Sequence, residues 1–409
     1  MRAIYPLIAR LLGVLFLLWS LWLIGTGQFL PIFITKQHLM LSFFGGALFA
    51  AGAGLAAFAA ARHRRRKGRG TAVHHAIALA GGALTGICTL LFLFELTFFT
   101  LNRWDTSGPV WAGNPHDFRG SPLLGYEGPP GVVLHGRCTV RDELIYDVHY
   151  TFDEAGRRRT PFDAARAQEA WLFFGCSFTY GEGVEDDETL PACIARANPE
   201  WAVYNYALGG YGPGQMLARL EEMNWKKDVP QPLAGAVYVY TPFQVRRASG
   251  SMSIVSNWGR HFPCYELQED NTVRRIGSFE SAWPWRASVY GFLSKEEAVR
   301  RFHLDWPLVS TARDFQLTAG IIHQAARRLQ EDAPGVPFYV VLYPHNPVAE
   351  TSSAALLPHL DQNLVKVIDC SGLWPGDPTD DGYYYRGEHH PTPKAHEELA
   401  AAILSKITY

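Results

Sequence analysis

The stretch Leu172-Phe173-Phe174-Gly175-Cys176-Ser177-Phe178-Thr179-Tyr180-Gly181 decides the fold, because an apolar run ends there in Gly-Cys-Ser and enters a turn. Such a run is typical of a buried strand in a parallel sheet. The carboxyl ends of these strands are where α/β proteins place their reactive side chains. Ser177 is therefore a candidate nucleophile, although a serine in this position is also common as a turn or helix N-cap residue.

The chain around Ser177 alternates between apolar runs and helical patterns. We predict strands at residues 170–174, 202–206, 235–240, 336–342 and 364–368, and helices at residues 215–225, 312–331 and 393–407. This alternation predicts a parallel sheet covered by helices on both faces. Residues 247–308, with clusters of Trp, Pro and Ser, interrupt it and are predicted to be an insertion that serves as a lid or substrate loop.

Residues 105–167 differ from this pattern, since they are rich in glycine and proline and carry an alternating strand pattern at residues 143–153. We predict a small β-rich collar ahead of a main domain at residues 168–409. No chemical signal is evident in the collar.

Charge divides the chain into two parts. Of its 409 residues, 48% are hydrophobic and the net charge is −2. Residues 1–104 contain ten lysines and arginines but one acid, Glu95, a balance of +9, which leaves −11 for the remainder. This asymmetry is typical of a membrane portion joined to a globular one.

Three segments without charge lie in the basic part, at residues 11–34, 39–61 and 76–94. Each is long enough for a transmembrane helix, which needs about 20 apolar residues. We therefore predict a membrane anchor of three helices over residues 1–104. The first apolar stretch exceeds the usual length in a signal peptide, and Glu95 is either an interfacial residue or a functional one.

The six lysines and arginines between Arg62 and Arg69 predict the orientation of these helices. Basic loops stay in the cytoplasm, so we expect a cytoplasmic N-terminus and an extracytoplasmic main domain at a bacterial-type inner (plasma) membrane. A nucleic-acid patch is the alternative for this run, but the flanking spans argue against it and no nucleic-acid partner is expected.

Five cysteines follow the predicted anchor helices. In an oxidising compartment, disulfides can form among four of them: Cys138, Cys193, Cys264 and Cys370. Cys176, on the predicted strand, is expected to be a small buried side chain rather than a reactive thiol.

Two further motifs carry chemistry. The run from Val203 to Gln215 ends a predicted strand in a loop with four glycines, whose N–H groups can approach a substrate closely, so Gly210 is a candidate oxyanion donor. A phosphate cradle is the alternative, but the Lys and Ser or Thr of a P-loop are missing.

The second motif, from Gly387 to His396, holds three histidines directly before the last predicted helix. A histidine there can serve as general base for Ser177, with a nearby carboxylate to orient it. Zinc is the alternative, but the adjacent His389 and His390 cannot easily share a metal, and we expect neither metal nor cofactor.

With these motifs, the region from residue 168 to the end resembles the SGNH, or GDSL-like, hydrolase superfamily. The resemblance implies a flavodoxin-like three-layer α/β/α sandwich with a parallel sheet. Gly175-Cys176-Ser177 is similar to the first family block, with Cys176 in place of the usual Asp. The resemblance implies Ser177 as nucleophile, His390 as general base and the Gly210 and Ser177 amides as oxyanion donors.

Two positions depart from the family pattern. Gln244 stands where the family commonly has an asparagine side chain as a further oxyanion donor. The acid of the triad is expected near Gly387, where the candidates are Glu388 and, less directly, Asp381; a Ser–His dyad is the remaining alternative.

The function implied is that of a membrane-anchored extracytoplasmic serine esterase or deacetylase. Its substrate is expected to be a carbohydrate O-acyl ester, such as an envelope or exported polysaccharide, as for many relatives. One alternative is an O-acyltransferase using the same serine with membrane partner proteins. The other is a catalytically inactive polysaccharide-binding or assembly module.

Overall fold

The computed structural model describes residues 108–407 apart from 223–224, 347, 350 and 375–377, with a few positions between 52 and 98. The chain divides into two compact units, of which the larger comprises Thr106–Gly291 and Asp305–Tyr409. The predicted transmembrane segments lie almost wholly outside the described residues. Within the described part, no helix has the length and apolarity needed to cross a membrane.

The strands fall into one parallel and three antiparallel sheets. In chain order the strands are β1 (Pro109–Gly113), β2 (Arg119–Ser121), β3 (Gly125–Glu127), β4 (Val133–Val140), β5 (Glu143–Thr151), β6 (Glu169–Phe174), β7 (Trp201–Asn205), β8 (Leu233–Tyr240), β9 (Pro263–Leu267), β10 (Val273–Ser278), β11 (Phe338–Leu342) and β12 (Lys366–Asp369).

The helices vary from one turn to 21 residues. They are α1 (Ser177–Tyr180), α2 (Leu190–Ala197), α3 (Pro213–Glu222), α4 (Trp225–Asp228), α5 (Phe243–Ser249), α6 (Met252–Asn257), α7 (Phe279–Ala282), α8 (Pro284–Leu293), α9 (Glu297–Arg301), α10 (Ala312–Asp332) and α11 (Pro393–Leu404), with a 3-10 helix at Ser353–His359.

The central sheet has five parallel strands in the order β12-β11-β8-β6-β7. All five coincide with the predicted strands, and α3, α10 and α11 coincide with the predicted helices, although their ends differ by up to three residues. The predicted parallel sheet with helices is therefore confirmed. The carboxyl ends of its strands form one edge, on which the site is built.

Both faces of this sheet are buried because successive side chains of a strand point to opposite sides. Leu172 packs in one apolar cluster with Leu217 of α3 and Ile322 of α10. Phe173, the next residue, packs in the other cluster with α2 and α11. The uninterrupted apolar runs of the sequence thus have a direct physical cause, since strands covered on both faces have no polar side.

The collar, residues 105–167, contains the antiparallel sheet β1-β4-β5 and the hairpin β2-β3. From Thr106 onward it belongs to the same compact unit as the parallel sheet. Arg158, 1% exposed, joins the two parts: its guanidinium donates to Asp186 Oδ1 (2.8 Å) and to the carbonyl of Val184 (3.0 Å). Because a buried cation is costly without partners, this arginine holds the collar against the loop that follows the nucleophile.

The predicted insertion at residues 247–308 contains the hairpin β9-β10 and several short helices. Residues 292–304 of this segment group with the N-terminal part of the chain in the second unit. All five described cysteines are free and buried, so none of the four considered for disulfides is paired.

Candidate active site

Ser177 is the first residue of α1 and directly follows the turn after β6. The turn requires glycine at position 175, because a Cβ atom there would overlap the side chain of Thr179. The carbonyl of Ser177 accepts hydrogen bonds from the N–H groups of Gly181 (2.9 Å) and Glu182 (3.1 Å). The serine is therefore fixed at the carboxyl edge of the sheet, and its side chain is almost buried.

His390 lies directly beside this serine, although 213 positions separate them in the sequence. The distance from its Nε2 to Ser177 Oγ is 2.8 Å, and the distance from its Nδ1 to Glu388 Oε1 is 2.5 Å. The other oxygen of Glu388 accepts from the backbone N–H of His390 (2.9 Å). These contacts place the proton of the neutral imidazole on Nδ1 and align serine, histidine and glutamate in the order of a Ser–His–acid triad.

The structure also distinguishes the two candidate acids. Glu388 is buried, with a fully covered side chain, whereas Asp381 is exposed and contributes its backbone carbonyl to Lys394 Nζ (2.8 Å). Glu388 is thus the carboxylate that contacts the imidazole, and a dyad without an acid does not describe this site.

The backbone of the histidine loop is what brings Glu388 and His390 onto one side. The N–H of Tyr385 donates to the carbonyl of His390 (3.0 Å), and that of His389 donates to the carbonyl of Tyr385 (2.9 Å). His389 has φ of +70°, an uncommon left-handed conformation for a residue other than glycine. Thr392 then caps α11 by accepting from Ala395 N, so the loop is closed at both ends.

A second carboxylate, Glu182, lies at the same place. Its Oε2 is 3.7 Å from His390 Nε2, and its Oε1 is 2.7 Å from Nε2 of His116 in the collar. Sequence reasoning did not find either residue. The proximity of Glu182 to Ser177, five positions earlier in the sequence, is the signal that could have identified it. His116 stands in a segment without a recognisable motif.

The two carboxylates control the charge on His390. Burial disfavours the protonated imidazole, but the charges of Glu388 and Glu182 outweigh burial and raise the pKa of His390 to about 9. For Glu182, burial opposes ionisation, but His390 and His116 outweigh it and lower its pKa to about 2. Glu182 is therefore ionised throughout the physiological range, and the two carboxylates favour the protonated form of the His390 imidazole.

The glycine loop after β7 reaches this edge because β7 is the parallel neighbour of β6. Asn205 Nδ2 donates to the carbonyl of Thr179 (3.1 Å), which ties the end of β7 to α1. Gly210 has φ of +78°, and a Cβ atom there would overlap Tyr126 and Trp258. The collar and the insertion thus both border the loop that was predicted to supply an oxyanion donor.

The side-chain amide of Gln244 is engaged by neighbouring groups of the protein. It is fully buried, its Nε2 donates to the carbonyl of Val239 (3.2 Å), and its Oε1 accepts from the hydroxyl of Tyr238. Since both ends of the amide are engaged, the structure does not support Gln244 as an oxyanion donor.

Cys176 is buried, as predicted for this position. Burial disfavours its thiolate, but the positive charge of Arg247 and hydrogen bonds, including one from Gln244, outweigh it and lower the pKa. The thiol of Cys176 therefore lies in polar surroundings rather than in a purely apolar core.

Of the histidines near the chain end, His390 alone belongs to a close group of potential metal ligands among the described residues. Within the described residues, the one group of potential ligands that approach one another closely is Glu182, Glu388 and His390, which the triad and its neighbour already use. His396 is fully buried, away from that group.

Comparison with known proteins adds a likeness at the level of structure. No family model and no curated protein matches the chain. A lipolytic protein of the G-D-S-L family from Veillonella parvula is similar over 58% of this chain and 98% of its own, with 13% identity and a TM-score of 0.33. An acetylxylan esterase from Geobacillus stearothermophilus, solved as a catalytic mutant, is similar over 59% of this chain and 95% of its own, with 12% identity and a TM-score of 0.34.

What the site can do chemically follows from the contacts among Ser177, His390 and Glu388.

Proposed function

We propose that this chain is a membrane-anchored serine esterase that cleaves a carbohydrate O-acyl ester on the extracytoplasmic side of the membrane. The observation that carries the esterase assignment is the unbroken line of contacts from Ser177 Oγ through the imidazole of His390 to the buried Glu388. This alignment places a basic imidazole, oriented by a buried carboxylate, against a serine hydroxyl. An inactive binding module has no need of such an alignment.

The chemistry follows from these contacts. Ser177 Oγ forms a bond to the ester carbonyl carbon while its proton passes to His390 Nε2. The imidazolium then returns this proton to the departing alcohol as the carbon–alcohol bond breaks, leaving an acyl-serine. Glu388, which accepts from Nδ1–H, stabilises the imidazolium in both steps. Water attacks the acyl-serine carbonyl in the second half of the reaction, and His390 accepts its proton. The imidazolium then returns a proton to Ser177 Oγ as the acyl–serine bond breaks, which releases the carboxylic acid and restores the enzyme.

The Gly210 and Ser177 amides are proposed as the oxyanion donors. Gly210 is suited to this role because glycine adopts the left-handed conformation found there (φ of +78°) and lets the backbone N–H approach a substrate closely. A lost donor of this kind costs on the order of 10²–10³ in turnover. An acyltransferase differs from the esterase only in the group that attacks the acyl-serine.

The esterase assignment is tested with full-length protein in detergent, a short-chain p-nitrophenyl ester and a fluorophosphonate probe. We expect ester cleavage and covalent labelling, and loss of both in Ser177→Ala, with activity reduced by about 10⁴-fold or more. Ser405→Ala, an exposed serine at the end of α11, is the matched control and is expected to retain wild-type activity. Folded wild-type protein that is neither labelled nor active would favour the binding module.

The membrane part of the proposal is supported by the three uncharged segments and the basic run between Arg62 and Arg69. A periplasmic reporter fused after Tyr409 is expected to be active. Activity of a reporter that works only in the cytoplasm would reverse the orientation. The carbohydrate part is supported by the resemblance to hydrolases of which many act on carbohydrate esters.

A further inference from the structure

Glu182 bridges two imidazoles, and the catalytic triad requires neither of its contacts. One carboxylate oxygen lies 2.7 Å from Nε2 of His116 and the other lies 3.7 Å from Nε2 of His390. The carboxylate itself is buried, whereas the side chain of His116 is 48% exposed. The pair therefore extends from the reacting atoms to the rim of the site.

The place of Glu182 relative to the reaction follows from the role of His390. The alcohol oxygen of the ester must come within hydrogen-bond distance of Nε2 of His390, because that nitrogen returns the proton to it. Glu182 Oε2 is close to the same nitrogen. A hydroxyl group on a carbon next to the ester oxygen is then within reach of this carboxylate.

The chemistry of the pair limits what it can bind. An ionised carboxylate only accepts hydrogen bonds. Because Oε1 of Glu182 already accepts from His116, Oε2 is the oxygen to which a substrate hydroxyl can donate. The backbone of Gly209 lies beside this carboxylate, since a Cβ atom there would be 3.5 Å from Oε2, an ordinary van der Waals distance. The fixed negative charge also disfavours an anionic alcohol.

We propose that Glu182 and His116 form the binding subsite for the alcohol portion of the ester, and that this alcohol is a neutral polyol with a free hydroxyl group next to the ester oxygen. The inference rests on the proposed esterase function and deepens it. Glu182 accepts from the neighbouring hydroxyl, and His116 holds the carboxylate and contacts the polyol at the rim. The same subsite holds the attacking hydroxyl if a polyol, rather than water, accepts the acyl group.

Two acetate esters that differ in the neighbouring hydroxyl test this subsite on the full-length protein. Glycerol 1-monoacetate has the hydroxyl, and ethyl acetate lacks it. We expect kcat/KM to favour the glycerol ester, and this preference to fall about 10- to 100-fold in His116→Phe and Glu182→Gln, as for a lost hydrogen bond to a charged group. His116→Gln, which retains a donor for Glu182, is expected to keep part of the preference.

The matched control is His135→Phe. His135 is another half-exposed collar histidine paired with a carboxylate, Asp147, at 2.5 Å, but it lies outside the site. His135→Phe is expected to leave kcat/KM unchanged for both esters. Equal losses on both esters in the His116 variants, or an unchanged preference in folded protein, would overturn the subsite. Wild-type protein that cleaves neither ester, nor the p-nitrophenyl ester, would instead overturn the proposed function.

Discussion

The two histidine–glutamate pairs at the site differ in what holds them together. Glu388 and His390 are two positions apart in one loop, and the backbone N–H of His390 donates to the carboxylate that its ring also contacts. Glu182 and His116 are 66 positions apart, and one belongs to the parallel-sheet part while the other belongs to the collar. The first pair is formed by a local turn, and the second depends on how the collar packs.

In the proposed function, this difference separates the residues of catalysis from those of recognition. The nucleophile, base and acid all lie on the carboxyl edge of the sheet, on segments that the sandwich itself orders. The collar supplies His116, and its Tyr126 hydroxyl donates to the carbonyl of Gly209 at 2.5 Å. A change in the collar can therefore alter which alcohol is bound without altering the triad.

The largest expected effect concerns the local pair. Glu388→Gln removes the charge that stabilises the imidazolium and no longer enforces the Nδ1–H tautomer, so we expect kcat on p-nitrophenyl acetate to fall by about 10⁴-fold. The matched control is Asp381→Asn, because Asp381 was the other candidate acid and is exposed. It is expected to retain wild-type kcat.

A larger loss of kcat in Asp381→Asn than in Glu388→Gln would contradict the assignment of Glu388 as the acid. A similar, small effect of both would indicate that His390 works without a carboxylate. Thermal unfolding of each variant establishes that a loss of kcat is not a loss of folded protein.

Much of the sandwich could be predicted because its strands are buried on both faces and therefore read as unbroken apolar runs. Ser177 and His390 could be predicted because each stands in a local motif at the end of an element. The choice between Glu388 and Asp381 could not, since it depends on which carboxylate the loop buries. The prediction of Gln244 as an oxyanion donor is not supported, because a position in the sequence does not give the direction in which the side chain points.

His116 could not be predicted from the sequence for a different reason. Its role depends on a long-range contact between the collar and the loop after the nucleophile, and that contact has no local pattern. A buried ionisable group requires a partner. An ionisable residue close to a motif, here Glu182 near Ser177, therefore indicates that a partner such as His116 must exist elsewhere in the chain.

A third histidine of the terminal segment, His396, tests what happens to an imidazole without a carboxylate. It is fully buried, and no hydrogen-bond partner of its ring nitrogens is found among the described residues. Burial, with the nearby charges of Arg158 and His390, lowers its pKa to about 3. Between this value and its ordinary pKa near 6.5, the unfolded chain binds the proton and the folded chain does not, so stability falls as the pH falls.

We therefore expect acidification from pH 8 to pH 5 to cost the wild type about 2 kcal/mol more than His396→Leu, which cannot titrate. Thermal unfolding at the two pH values measures this difference. The Leu variant is expected to be at least as stable as wild type at pH 8, because an unpaired buried polar group is removed. An identical acid response of both proteins would show that His396 is protonated in the folded state.

The smallest expected effect distinguishes the remote carboxylate from the local one through the pH profile. Ester cleavage requires the neutral imidazole of His390, whose pKa is raised to about 9, so kcat/KM is lost as the pH falls below that value. Glu182→Gln removes one of the two charges that raise this pKa. We expect the midpoint of the profile, measured with ethyl acetate, to move to lower pH by about 1.

His135→Phe again serves as the control and is expected to leave the midpoint unchanged, since its carboxylate partner is outside the site. Ethyl acetate is the suitable substrate because it offers no neighbouring hydroxyl, so a change in alcohol binding does not enter the measurement. A midpoint that stays near pH 9 in Glu182→Gln would mean that Glu388 alone sets the basicity of His390. The remote pair would then act on the alcohol without acting on the base.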